Sequence, residues 1–158
     1  MKNLKGIYAA TISVFNDDLS LNIDKTIKHS EKIIDNGCHG VVMFGSTGQA
    51  QYISVGEKIN LLNQLSKSKH CEKFVIGTGL NSLVEIINFM KTAHSLSFDK
   101  FLIMPPAFYS YDDNGVENFY KKIIEAVPAA KIILYNFEKL CGFKFSENFV
   151  LDLVRKFP

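Results

Sequence analysis

An α/β fold of five consecutive βα units is predicted by three features of this 158-residue sequence. Short apolar runs alternate with longer segments of helical period. No linker, low-complexity tract or charge run interrupts this alternation. Each conspicuous polar cluster follows an apolar run, which is where a parallel sheet places its functional loops. We therefore expect residues 1–158 to form one domain around a parallel sheet.

The apolar runs predict the strands, and the segments between them predict the helices. Strands are expected at residues 6–12, 40–44, 74–77, 101–104 and 132–135. The first two helices would bury faces that contain Ile23, Ile27, Ile33 and Ile34, and then Ile59, Leu61, Leu62 and Leu65. Further helices are expected at residues 83–96, 116–127 and 147–155, with Ser146 as the N-cap of the last and 113–115 as a turn before the fourth.

Composition and charge exclude several function classes. The 18 basic and 16 acidic side chains leave a net charge of +2 without a Lys/Arg block, so neither nucleic acid nor an anionic membrane is an expected partner. No segment approaches the ~20 apolar residues of a membrane span. Three cysteines without CxxC spacing predict reduced thiols in a cytoplasmic protein and no metal site.

Two sheet architectures are compatible with this pattern. A barrel of eight units typically takes ~250 residues, whereas an open doubly wound sheet of five strands fits in ~150, so length favours the open sheet. The polar clusters favour the barrel, because a barrel gathers the loops that follow its strands at one mouth. Neither GxGxxG nor GxxxxGK[ST] occurs, which removes the main support for a dinucleotide site or a P-loop.

Four motifs at the predicted strand ends carry a resemblance to a known family. They are Gly45-Ser46-Thr47-Gly48, Gly77-Thr78-Gly79-x-Asn81, two prolines with aromatics at 105–109, and Tyr135-Asn136. In order and spacing they resemble the dihydrodipicolinate synthase and N-acetylneuraminate lyase family along the whole chain. The resemblance implies a (β/α)8 TIM barrel, of which this chain supplies about the first five βα units. It also implies a class I lyase or aldolase that handles pyruvate, needs no metal or organic cofactor, and is a dimer of dimers when complete.

The resemblance implies roles for individual residues. In this family a lysine amine attacks the ketone of pyruvate, and the Schiff base that forms acts as an electron sink. By resemblance, Ser46, Thr47 and Gly48 bind the pyruvate carboxylate through hydroxyl and backbone N–H donors. Thr47 would also relay a proton, and Tyr135 would be the catalytic phenol that shuttles protons to and from the substrate.

An aromatic residue in the loop after the fourth strand often crosses the dimer interface in this family. Counting back from Gly115 places Phe108 at that position, and Phe108 has no hydroxyl group. We expect Tyr109 to bind substrate in its place through a shift of one residue. A packed interface aromatic is the alternative interpretation of Tyr109.

Two departures from the family pattern bear on activity. The Schiff-base lysine of the family lies at the end of the sixth strand, so we expect it beyond Pro158, the domain to be truncated before that strand, and this chain alone to be inactive. Leu140 stands where the synthases keep an arginine, which favours a 2-keto-3-deoxy acid or related substrate. The alternatives are a 4-hydroxy-tetrahydrodipicolinate synthase of lysine biosynthesis, and a noncatalytic partial barrel that binds keto acids or assembles with another polypeptide.

Overall fold

A computed structural model describes residues 4–158 and contains one sheet of five parallel strands. The strands are β1 (Tyr8–Ala10), β2 (Gly40–Met43), β3 (Phe74–Gly77), β4 (Lys100–Ile103) and β5 (Lys131–Leu134). The α-helices are α1 (Ile23–Asp35), α2 (Val55–Leu65), α3 (Leu83–Ser95), α4 (Asp113–Ala126), α5 (Glu138–Cys141) and α6 (Glu147–Lys156). Two 3₁₀ helices occupy Ala50–Tyr52 and Cys71–Lys73.

The strand order distinguishes the barrel from the open sheet. Each strand pairs with the next one along the chain, in the order β1-β2-β3-β4-β5, whereas a doubly wound sheet reverses its order at a switch point. Right-handed crossovers in this order put the helices on one face of the sheet. Accordingly α1 contacts α2, α2 contacts α3, and α3 contacts α4. The architecture is that of the first five units of a (β/α)8 barrel.

The five longer α-helices are amphipathic and begin at capping side chains. The side chains of Asn22, Ser54, Ser82, Asp112 and Ser146 each accept a hydrogen bond from a backbone N–H in the first turn of the helix that follows. Ser146 was predicted as a cap and is one. No helix within residues 4–158 is both long and apolar enough to cross a membrane.

The start of α4 differs from the sequence prediction. Residues 113–115 were expected to form a turn, but they are the first turn of the helix itself. The Asp112 carboxylate accepts the Gly115 N–H at 2.7 Å and so fixes the helix start three residues earlier than the apolar pattern indicates. The prediction was wrong because the apolar face begins only at Val116, one turn inside the helix.

A lysine lies on the buried face of α2. Lys58 is fully buried beside Leu61, Leu62 and Leu65, at the i, i+3, i+4 and i+7 spacing of one helix face. Its amine donates hydrogen bonds to the carbonyl oxygens of Thr78 at 2.9 Å and Gly79 at 3.3 Å. Burial lowers the pKa of this amine to about 8, against the opposing effect of the Glu85 carboxylate.

Substitution by alanine at two glycines of this fold should change the free energy of unfolding in opposite directions. A Cβ on Gly77 would lie 2.4 Å from the Phe44 carbonyl oxygen, so Gly77→Ala should lower the free energy of unfolding by on the order of 2–4 kcal/mol. A Cβ on Gly56, inside α2, meets no atom within 4 Å, so Gly56→Ala should raise it by about 0.5–1 kcal/mol. Urea unfolding followed by circular dichroism measures both. Similar midpoints for the two variants would contradict this packing.

The pKa of Lys58 predicts a pH dependence of stability. Between about pH 8 and 10.5 the unfolded chain holds a proton on this amine that the folded chain has lost, so stability should rise with pH in that interval. Relative to Lys58→Met, the wild type should gain on the order of 2–3 kcal/mol of unfolding free energy from pH 7 to 10.5. Urea titrations at both pH values measure this, with Lys67→Met as the exposed control. An unchanged difference between wild type and Lys58→Met would refute the shift.

Candidate active site

The loop after β2 is held in a strained conformation. Gly45-Ser46-Thr47-Gly48 lies between Phe44, with φ of 56°, and Gln49, with φ of 52°. A bulky side chain in this left-handed region costs about 1–2 kcal/mol, and Phe44 is also buried. Strain of this kind persists only where the surrounding structure enforces it, and it concentrates at functional sites.

Gly48 is fixed against the loop after β1. Its carbonyl oxygen accepts a hydrogen bond from the Ser13 hydroxyl at 2.7 Å. A Cβ at this position would lie 3.0 Å from the Thr11 carbonyl oxygen and 3.2 Å from the Phe44 nitrogen. Glycine therefore lets the loops after β1 and β2 pack directly against each other.

Ser46 and Tyr135 meet at the carboxyl ends of β2 and β5. The Ser46 hydroxyl lies 2.8 Å from the Tyr135 hydroxyl, although the two residues are 89 positions apart. Either oxygen can be the donor, as a proton relay requires. Tyr135 is fixed in turn, because its backbone N–H donates to the Ile103 carbonyl oxygen at 2.9 Å. The barrel order thus brings together two of the residues singled out in the sequence.

The two hydroxyl groups open onto a cavity of about 340 Å³. Apolar side chains form most of its wall, and Gln49, Gln51 and Tyr52 add polar atoms near its edge. No lysine, arginine, aspartate or glutamate is among the lining residues found within 4–158. The lining residues are Phe44, Gly45, Ser46, Gln49, Ala50, Gln51, Tyr52, Gly79, Leu102, Met104, Ala107, Tyr135 and Leu140.

The loops after β3 and β4 are joined by the asparagine of the second motif. The Asn81 side-chain oxygen accepts the Ala107 N–H at 2.9 Å. The Gln51 side-chain amide donates to the Gly79 carbonyl oxygen at 3.0 Å, which joins the segment after β2 to the same network. Gly79 and Ala107 both line the cavity, so these bonds define part of its wall.

The other predicted site residues take different positions. Thr47 is exposed beside Ser46 and does not line the cavity, and the contact with Tyr135 is made by Ser46 rather than by Thr47. Tyr109 is 67% exposed and packs edge-on against Phe108, with the ring centroids 5.0 Å apart. Neither Tyr109 nor Phe108 lines the cavity, so the assignment of Tyr109 to substrate binding stays a prediction.

Sequence reasoning missed part of the cavity wall. Leu102 and Met104 belong to β4 and its end, and their apolar character made them look like core residues. Gln51 and Tyr52 lie in the 3₁₀ helix that follows the strained loop, and no motif in the sequence singled them out. Burial of Lys58 was not predicted, because lysine is rarely buried, although its i, i+3, i+4 spacing to Leu61 and Leu62 was present in the sequence.

Comparison with known proteins gives the family. The model of the dihydrodipicolinate synthetase family matches residues 3–157. A 4-hydroxy-tetrahydrodipicolinate synthase of Neisseria gonorrhoeae is 31% identical over 136 residues, which cover 84% of this chain and 46% of that protein. The chain spans about half the length of the curated relatives that it matches.

Solved structures share the fold. A sialic acid aldolase of Ruminococcus gnavus, solved as its catalytic lysine mutant, superimposes with a TM-score of 0.88 at 19% identity, covering 98% of this chain and 52% of that one. A prophage protein of the dihydrodipicolinic acid synthase family from E. coli K12, solved in complex with pyruvate, gives 0.87 at 20% identity, covering 96% and 51%. The strand order, the motifs at the strand ends and the match over residues 3–157 agree. This chain belongs to the dihydrodipicolinate synthetase family.

Proposed function

We propose that this chain carries the substrate-binding and proton-relay part of a pyruvate-dependent lyase or aldolase that works through a Schiff base. The 2.8 Å hydrogen bond between the Ser46 and Tyr135 hydroxyl groups, at the edge of the cavity, is the observation that carries the proposal. Family membership supports the reaction class. The pyruvate complex of the E. coli K12 family member supports a small keto acid as ligand.

In the proposed reaction, a neutral lysine amine attacks the ketone carbon of pyruvate, and a C–N bond forms as the C=O π bond opens. An amine proton passes to the oxygen, which gives a carbinolamine. The hydroxyl of the resulting carbinolamine leaves as water when the Tyr135 phenol gives it a proton. The Ser46 hydroxyl returns a proton to the phenolate and is itself reprotonated from solvent, to which it is exposed. Ser46 therefore takes the relay role first expected of Thr47, and it shares the contact with the carboxylate with Thr47 and Gly48.

The attacking lysine is proposed to lie beyond Pro158. No lysine of the described residues lines the cavity. Lys100 and Lys131 are the first residues of β4 and β5, at the end of the sheet opposite to the cavity, and both contact the Asp99 carboxylate. We propose that the complete protein is a cytoplasmic dimer of dimers that uses no metal or organic cofactor, with Tyr109 or Phe108 at a subunit contact.

The second substrate is proposed to be a 2-keto-3-deoxy acid or a related compound without a second carboxylate near Tyr135. Leu140 lines the cavity at the position where, by family resemblance, synthases keep an arginine. An apolar leucine cannot pair with a carboxylate. The alternative is a 4-hydroxy-tetrahydrodipicolinate synthase, which is the name that the Neisseria gonorrhoeae relative carries.

Pyruvate binding separates the roles of the two hydroxyl groups. Ser46→Ala should weaken binding of pyruvate by about tenfold, because it removes a donor to the carboxylate. Tyr135→Phe should change binding by less than about threefold, while in the complete enzyme it lowers turnover much more. Nuclear magnetic resonance titration of the chain with pyruvate measures the affinities. Ser66→Ala, at the end of α2, is the matched control and should bind as the wild type does.

A trapping experiment tests the position of the lysine. Borohydride added to the chain with pyruvate should leave the intact mass of residues 1–158 unchanged. A reduced pyruvate adduct on a lysine of this chain would disprove the position proposed beyond Pro158. Failure of the wild type to bind pyruvate would disprove the proposed function. Equal pyruvate affinities of the wild type and Ser46→Ala would disprove the role of Ser46 in binding.

Leu140→Arg should open the cavity to a second carboxylate. A guanidinium at this wall should raise the affinity for 2-oxoglutarate by about tenfold, because it supplies a bidentate partner for the distal carboxylate. The affinity for pyruvate should change less. Titration of the wild type, Leu140→Arg and the apolar control Leu140→Met with both keto acids measures the difference. Equal 2-oxoglutarate affinities in the three proteins would show that residue 140 does not select the substrate.

A further inference from the structure

The buried amine of Lys58 lies where three segments of the cavity wall meet. It donates to the carbonyl oxygens of Thr78 and Gly79, which begin the loop after β3. It also lies 5.9 Å from the centroid of the Phe44 ring, whose strained backbone begins the loop after β2. Gln51 donates to the same Gly79 oxygen. No other lysine within residues 4–158 is fully buried.

The chemistry of the position indicates that the amine itself is used. A methionine would occupy a similar volume on this helix face without the desolvation that burial imposes on an ammonium group. Without the amine, the Thr78 carbonyl oxygen would lose the hydrogen bond that Lys58 gives it, and an unpaired buried acceptor is costly. The lysine therefore gives the loop after β3 donors that an apolar residue could not supply.

The effect of Lys58 is transmitted to the cavity through Gly79 and Asn81. Gly79 has φ of 56°, and a Cβ there would lie 2.3 Å from the Ala50 Cβ, so its backbone is held between Ala50 and the amine of Lys58. Two residues further on, Asn81 accepts the Ala107 N–H. The cavity wall at Gly79, Ala50 and Ala107 thus depends on one buried side chain that does not line the cavity.

We propose that Lys58 is a positioning residue of the candidate active site, which holds the segments after β2, β3 and β4 in the arrangement that encloses the cavity. It acts through Gly79 and Ala107 and contacts no substrate. This inference goes beyond the proposed reaction, because it concerns the order of the wall and not the identity of the ligand.

Hydrogen exchange of single amides tests the proposal without any ligand. The Ala107 N–H reports the loop after β4 through its bond to Asn81, and the Tyr135 N–H reports the sheet through its bond to Ile103. In Lys58→Met, the ratio of the Ala107 to the Tyr135 exchange rate should rise by at least about tenfold, because the loop opens locally while the sheet does not. Pyruvate affinity should fall by at least about fivefold. This second measurement rests on the proposed function.

Two controls separate positioning from stability. Leu61→Ala, on the same buried face, should destabilise the whole domain without raising this ratio, and Lys67→Met should leave both rates unchanged. If Lys58→Met does not fold, Gln51→Leu removes the second donor to Gly79 and should raise the ratio by about threefold. An unchanged ratio in whichever variant folds would overturn the proposal. A raised ratio with unchanged pyruvate affinity would also overturn it, whereas a wild type that does not bind pyruvate would count against the proposed function alone.

Discussion

Parallel pairing of the strands in chain order is the constraint on which the site depends. Because β1 to β5 follow one another in the sheet, all five carboxyl ends lie on the same edge, and the loops that leave them meet there. Ser46 and Tyr135 are 89 residues apart and yet form a hydrogen bond for this reason. An order with a switch point would have changed which loops are neighbours without changing any local motif.

Much of the fold could be predicted from the sequence, because it depends on signals that are local. Apolar runs gave the strands to within a few residues, and serine and asparagine caps mark the helix starts. The start of α4 was misplaced, since the Asp112 cap precedes the apolar face by a full turn. Length alone favoured an open sheet, and only the positions of the polar motifs indicated a barrel.

The site was less predictable, because its geometry comes from contacts between distant segments. The motifs identified Ser46 and Tyr135, but the phenol contacts Ser46 and not Thr47 in a loop that lies between the left-handed residues Phe44 and Gln49. The spacing of apolar residues does not predict a left-handed backbone conformation at a residue other than glycine. Leu102 likewise has the apolar character of a core residue in the sequence. It lines the cavity because the carboxyl end of β4 lies there.

The uncharged cavity bears on where the nucleophile of the proposed reaction must come from. An apolar wall disfavours an ammonium relative to a neutral amine, so a lysine entering this cavity would have a lowered pKa and be ready to attack a ketone. Lys58 shows the same effect, since burial lowers its pKa to about 8. It is nevertheless unsuited to the attack, because its side chain is fully buried and both carbonyl contacts hold the amine behind Gly79. In the proposed reaction the buried lysine of α2 therefore orders the wall, and the nucleophile is proposed to reach the cavity from a segment beyond Pro158.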